Sequence, residues 1–145
     1  MLFKSIALAA DHAGFPTKEL VKNYLLELGY VVKDFGTHSS DSTDYADYAH
    51  PMAAAVEAGE FEIGFSICGS GNGINMTVNK HQGIRAALCW KEEISYMARL
   101  HNDANVCTIP GRYVTEAEAK AIVDKFVNTE FEGGRHQNRI DKIPL

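Results

Sequence analysis

Short apolar runs alternate with amphipathic stretches along almost the whole chain. Ser5–Ala10 (Ser-Ile-Ala-Leu-Ala-Ala), Ile63–Cys68 (Ile-Gly-Phe-Ser-Ile-Cys), Ile84–Cys89 and Val106–Ile109 have the length and apolar content of buried strands, and Tyr30–Phe35 reads as another. Between them the period changes. Pro16 suits the opening of a helix, Leu20, Val21, Tyr24, Leu25 and Leu28 recur at helical spacing, and Gly29 fits its stop. A short helix is predicted from His50-Pro51 through Ala58, another from about Ile74 to Asn79, and a third over Glu92–His101 with Ile94, Met97 and Ala98 on one side. Thr115-Glu116-Ala117-Glu118 has the form of a capping box, and the helix behind it carries Ala119, Ile122, Val123 and Phe126 on its apolar face. Gly36 to Tyr48 is rich in Ser, Thr and Asp and has no hydrophobic period, which predicts a long loop of the kind that often carries function.

Strands and helices alternating at this spacing imply right-handed crossovers and a parallel sheet covered on both faces. The expected fold is α/β, a Rossmann-like three-layer α/β/α sandwich with a five-stranded parallel sheet. At 145 residues the chain has the length of one domain, 1–145. A polar and basic stretch, Glu132-Gly-Gly-Arg135-His-Gln-Asn-Arg139, follows after the core is complete. The tail from about 129 to 145 must pack somewhere, and a partner subunit is one such surface.

Charge and cysteine usage narrow the chemistry. Lys and Arg number 14 against 19 Asp and Glu, a net charge of -5 that argues against nucleic acid as partner. The apolar runs are strand-sized, well short of the ~20 residues that cross a bilayer, and no secretory leader is recognisable, so a soluble cytoplasmic protein without membrane contact is expected. Cys68, Cys89 and Cys107 form no CxxC pattern, which suggests neither a disulfide framework nor a zinc site. No metal and no cofactor are expected.

In an open parallel sheet, ligands bind beyond the carboxyl ends of the strands. That rule draws attention to Asp11-His12 after strand one, to Cys68 with Gly69-Ser70-Gly71-Asn72-Gly73 after strand three, and to His101-Asn102-Asp103 ahead of strand five. Three glycines in five positions before a helix let backbone N–H groups converge on an anion, although the same spacing also serves a plain tight turn. The loop is not a Walker loop, since no Gly-Lys-Ser/Thr follows, nor a dinucleotide fingerprint, since Met76 stands in place of the third Gly. The loop N–H groups and the helix end would stabilise a thiolate at Cys68 and make it a general base; the alternative is an inert buried thiol. His101 either shuttles protons or caps its helix. Arg135 and Arg139, four apart, share one helical face and either clamp a phosphate or cover solvated surface.

Taken together the motifs resemble the ribose-5-phosphate isomerase B family, which shares its fold with the galactose-6-phosphate isomerase subunits. The likeness is carried by Ala10-Asp11-His12-Ala13-Gly14-Phe15, Thr43-Asp44-Tyr45, Ile67-Cys68-Gly69-Ser70-Gly71-Asn72-Gly73-Ile74, Asn79-Lys80 with Gly83-Ile84-Arg85-Ala86, His101-Asn102-Asp103-Ala104-Asn105-Val106 and Glu132-Gly133-Gly134-Arg135-His136-Gln137. It implies a metal-free aldose-ketose isomerase interconverting ribose 5-phosphate and ribulose 5-phosphate. By that analogy Cys68 is the base, Gly69, Ser70, Gly71, Asn72 and Gly73 form the oxyanion site with Ser70 supplying a hydroxyl, and His101 helps open the furanose ring. Asp11, Asn102 and Tyr45 would bind the sugar. His12, Arg112, Arg135 and Arg139 would bind the phosphate and the distal end of the substrate, some of them from the second subunit of a homodimer or of a dimer of dimers. One branch of the family uses a Glu after Gly-Ser-Gly-Asn-Gly as base; here that position is Ile74, which takes no proton.

Two near alternatives change only the sugar, to allose 6-phosphate or galactose 6-phosphate. A nucleotide-binding module without chemistry is a different class, in which the glycine loop holds a phosphate. A thiol redox protein is a further one, weakened by the lack of a nearby resolving cysteine in the sequence.

Overall fold

The structure is a computed structural model that describes all residues from Met1 to Leu145. Its strands are β1 (Ser5–Ala10), β2 (Val31–Asp34), β3 (Ile63–Cys68), β4 (Ala86–Leu88) and β5 (Val106–Pro110), and its helices α1 (Phe15–Glu27), α2 (Tyr45–Glu57), α3 (Asn72–Val78), α4 (Glu92–Asn102), α5 (Glu116–Asn128) and α6 (Arg135–Ile140). The five strands form one parallel sheet in the order β2-β1-β3-β5-β4, as the alternation predicts. In the sheet centre Phe65 pairs with Cys107 and Cys68 with Pro110, so the end of β3 is level with the end of β5.

Alternation along each strand splits the core in two. Ile6, Leu8, Ile63, Phe65, Ile67, Cys107 and Ile109 face one side, where Val21 and Leu25 of α1, Ala98 of α4, and Ile122, Val123 and Phe126 of α5 cover them. Ala7, Ala9, Cys68 and Val106 face the other, under Ala49, Met52, Ala53 and Val56 of α2 and Ile74 and Val78 of α3. This is the expected three-layer α/β/α sandwich. The capping box of α5 is present: the Glu118 N–H donates to Thr115 Oγ1 and the Thr115 N–H to Glu118 Oε1.

One expectation changes. Helix α2 starts at Tyr45 rather than at His50, and Pro51 lies inside it. The preference of Pro for a first helical position points to a later boundary, but the apolar face Met52–Val56 packs against the sheet and sustains a helix through the missing N–H. The tail forms α6, which rests on α4 of the same chain and buries Ile140, while Arg135 and Arg139 stay exposed. No helix is long and apolar enough to cross a membrane.

Candidate active site

At the carboxyl ends of the strands, close backbone approach builds one compact cluster. Asp11, 7% exposed, ends β1 and accepts the Gly14 N–H on Oδ1 at 3.0 Å. A Cβ on Gly14 would stand 2.2 Å from the Ile67 carbonyl oxygen, so only glycine lets this turn lie against β3 beside Cys68. The long loop is tied in through His12, whose backbone N–H donates to Thr43 Oγ1 at 3.2 Å and whose Nδ1 accepts the Thr43 N–H at 3.1 Å. Tyr45, at the start of α2, reaches Gly73: a Cβ there would lie 2.5 Å from the Tyr45 ring. Arg112 lies over Gly69 from the opposite side and donates its backbone N–H to the Gly69 carbonyl at 3.0 Å.

Cys68 is 5% exposed and faces the α2/α3 layer. Gly71, with φ of 79°, takes the left-handed turn that starts α3, and Ser70 Oγ accepts the Asn72 N–H at 3.3 Å. Ile74 is fully buried in the same apolar cluster as Cys68. Cys107 and Cys89 lie in the core on the other face of the sheet, where burial first, and then the neighbouring Cys89 thiol, push the Cys107 thiol up. Neither can act as resolving partner to Cys68 across the sheet.

His101 and Asn102 lie elsewhere. They end α4, which runs antiparallel to the strands, and so stand at the amino edge of the sheet, before Val106. Cys68 lies four register positions beyond the Gly64–Val106 pair, about 13 Å along the strand direction. The expectation that residues ahead of β5 join the carboxyl-end cluster is therefore corrected: ahead of a strand means the opposite edge. Asp103 caps α4 with φ of 45°, held by Arg99 Nη1 at 2.8 Å, and Arg99 also donates to the Ala104 carbonyl at 2.7 Å.

The tail joins His101 at this edge. The Glu132 N–H donates to the Leu100 carbonyl at 2.9 Å, and the rings of His101 and His136 stack with centroids 4.4 Å apart. Glu132 Oε2 stands 3.5 Å from Nε2 of each histidine. A cleft of about 340 Å³ is lined by His101, Asn102, His136, Arg139, Ile140 and Ile143. The donor set of His101, Glu132 and His136 is one a divalent cation accepts, but two features oppose it. The stacked rings aim their lone pairs in separate, nearly parallel planes, and Arg139 Nη1, which can only donate, lies 3.3 Å from His136 Nδ1 and so places the His136 proton on Nε2.

One chain thus presents two separate clusters of the residues singled out from the sequence. Asp11, His12, Tyr45, Cys68, Gly69, Ser70, Gly71, Asn72, Gly73 and Arg112 gather at the carboxyl edge; His101, Asn102, Arg135 and Arg139 gather at the amino edge with Glu132 and His136. Of the last two, neither had a role assigned from the sequence. Glu132 lies ahead of α6, across Gly133 and Gly134, so its spacing from His136 is no helical signal.

Comparison with known proteins places the chain in a family. The model of a family described as ribose/galactose isomerase matches residues 6–143. The chain is 44% identical over 140 residues to ribose-5-phosphate isomerase B of Escherichia coli K12, covering 97% of this chain and 94% of that one. It is similar to the crystal structure of a ribose 5-phosphate isomerase from Thermotoga maritima, with a TM-score of 0.95, 46% identity and 97% of each chain covered. A ribose-5-phosphate isomerase B from Mycoplasma genitalium, solved with bound ribulose 5-phosphate, matches with a TM-score of 0.93 at 39% identity over 99% of this chain and 95% of that one.

Proposed function

The chain belongs to the ribose/galactose isomerase family, and we propose on that premise that it interconverts ribose 5-phosphate and ribulose 5-phosphate with Cys68 as base. The observation that carries the assignment of the base is the junction of β3 and the glycine loop: a thiol at the strand end, Ile74 buried beside it, and Arg112 and Tyr45 packed on the loop. Cys68 takes the C2 proton of the open-chain aldose. The electron pair of that bond forms the C1=C2 bond of an enediolate, and the carbonyl electrons move to O1. Backbone N–H groups of the Gly69–Gly73 loop receive that charge. The thiol returns its proton to C1 while the O2 proton passes to O1, leaving the ketone at C2. His101 protonates the ring oxygen as the furanose opens, Asp11, Tyr45 and Asn102 hold hydroxyls, and His12, Arg112, Arg135 and Arg139 bind the phosphate and distal end. No metal or cofactor takes part in this reading.

These roles need both edges of the sheet at one substrate, and one chain holds them about 13 Å or more apart. A homodimer with a two-fold axis solves this, because each carboxyl edge then meets the partner's amino edge and the contact is self-complementary. A sugar-phosphate substrate fits a cytoplasmic enzyme. The test is ketose formation from ribose 5-phosphate with a chelator present, alongside kcat/KM for allose 6-phosphate and galactose 6-phosphate. Turnover of ribose 5-phosphate with the highest kcat/KM supports the assignment; a preference for a six-carbon sugar keeps the mechanism and changes the substrate.

A further inference from the structure

We propose that Thr108 is a positioning residue for the reaction at Cys68: its side chain grips the first turn of α3 and so fixes the glycine loop against the end of β3. The inference rests on the isomerase reading and extends it into the layer beneath the site. Ser66 and Thr108 are register partners on β3 and β5, both fully buried, on the same sheet face as Cys68. Two hydroxyls in a layer otherwise built of Ala, Val, Ile and Met need a hydrogen-bonding reason to be there.

The chain of bonds has a fixed direction. Thr108 Oγ1 lies 2.8 Å from Asn75 Oδ1, and an amide oxygen only accepts, so the single proton of Thr108 goes to Asn75. Ser66 Oγ, 2.7 Å from Thr108 Oγ1, must then donate to Thr108. The order Ser66 to Thr108 to Asn75 runs from the sheet into α3 and ends at the residue whose backbone N–H makes the helix's bond to the Gly71 carbonyl, at 3.0 Å. The Thr108 methyl also lies close beside the loop: a Cβ on Gly71 would stand 3.3 Å from it. One side chain therefore holds the helix by its hydroxyl and places its methyl next to the loop. The loop N–H groups proposed to receive the enediolate charge belong to the segment so held, and an error of ~1 Å in such donors is worth about a hundredfold in rate.

Replacing both buried hydroxyls by apolar groups of like shape leaves stability nearly unchanged, whereas removing that of Thr108 alone strands the Ser66 proton. The informative variants are therefore Ser66→Ala/Thr108→Val together, Thr108→Ser, Ser66→Ala alone, and Asn75→Ala, which cuts the same bond from the half-exposed end. The double variant should melt close to the wild type yet lose about 10- to 100-fold in kcat with KM within about threefold. Asn75→Ala should show the same loss, Thr108→Ser should recover most of it, and Ser66→Ala alone, which keeps the bond to Asn75, should stay within about threefold. Adding Asn75→Ala to the double variant should cost nothing more, because both sever one bond. Wild-type kcat in Asn75→Ala, or in a folded double variant, overturns the proposal. Amide exchange of residues 71–75 and the alkylation rate of Cys68 give a substrate-free reading, both expected to rise in the double variant. They judge Thr108 even if the wild type leaves every sugar phosphate unchanged, an outcome that would defeat the functional reading instead.

Discussion

The two edges of the sheet hold residue clusters made of different material. At the carboxyl edge the parts are mostly backbone, and three glycines are fixed by what presses on them: Gly14 by the Ile67 carbonyl, Gly73 by the Tyr45 ring, Gly69 by Arg112 and Ala13. At the amino edge the parts are long side chains. His101, Glu132, His136 and Arg139 touch one another across 3.3 to 3.5 Å, and a Cβ on Gly133 or Gly134 would meet nothing within 4 Å. A site for charge that develops during a reaction needs donors that do not reorganise, which suits the first edge. Long side chains that can reorganise suit the grip on a substrate's distal end proposed for Arg135 and Arg139 and the proton transfer to the ring oxygen proposed for His101, which belong to the second edge.

If the edges divide the labour in this way, losing the base should exceed every other effect. Cys68→Ala should lower kcat by about 10²- to 10⁴-fold with KM little changed, whereas Arg139→Ala should act mainly by raising KM. Steady-state kinetics with ribose 5-phosphate checks both, and a Cys68→Ala enzyme with wild-type kcat would move the base elsewhere. A mixing experiment sharpens the contrast. Chains carrying Cys68→Ala and chains carrying His101→Asn, each nearly inactive alone, should recover about a quarter of wild-type activity when unfolded and refolded together. Half of the dimers are then mixed, and each has one intact pair of edges. No recovery in mixed dimers would place the complete site within one chain.

Stability should follow the same divide. Gly14→Ala drives a methyl into the Ile67 backbone, where nothing flexible can yield, and should cost about 3 kcal/mol or more. Gly133→Ala meets open space at φ of 75°, so only the left-handed backbone penalty remains, about 1 kcal/mol. Urea midpoints of the two variants test the difference; equal losses would mean that the carboxyl edge is no more constrained than the tail.

Reading the sequence worked where local chemistry decides and failed where direction in space decides. Alternating periods located all five strands, and the Thr115–Glu118 spacing located a capping box that the structure contains. The Gly69–Gly73 run was legible as a loop meeting a helix, because glycines at a strand end have few other uses. Tyr45 was read as part of a loop, since Tyr45, Ala46, Asp47 and Tyr48 show no apolar period before the face that begins with Ala49 and Met52. His101 was assigned to the wrong edge although the information was present: a helix that crosses between parallel strands must end where the next strand begins. What no period or motif contains is the meeting of Glu132 and His136 with His101, which depends on the tail turning back onto α4.

The smallest effect tests how the carboxyl edge is braced from the side. Lys18, fully buried, lies 2.5 Å from Asp34 Oδ2 and 2.9 Å from Glu19, and Lys22 adds a second cation at 3.2 Å from Asp34. Asp34 Oδ1 accepts the Gly36 N–H at 2.9 Å, the Gly36 carbonyl accepts the N–H of Ala10, the residue before Asp11, and the Thr37 N–H donates to the Ala10 carbonyl. Burial by itself would raise the Asp34 carboxyl, but Lys18, the Gly36 N–H and Lys22 outweigh it and hold the group below its ordinary value of 3.8. A carboxyl depressed in the folded state binds its proton more readily when unfolded. Its stabilisation is therefore complete above pH ~5, declines as pH falls through 3.8, and is gone once the folded group is itself protonated. Asp34→Asn should lose about 2 kcal/mol at pH 7, less than the usual loss for a broken buried pair because Glu19 still faces Lys18. The gap between variant and wild type should close as pH drops from 5 to 3. Thermal melts across that range decide the matter: a gap that stays constant would mean that the loss comes from the Gly36 turn and not from the charge on Asp34.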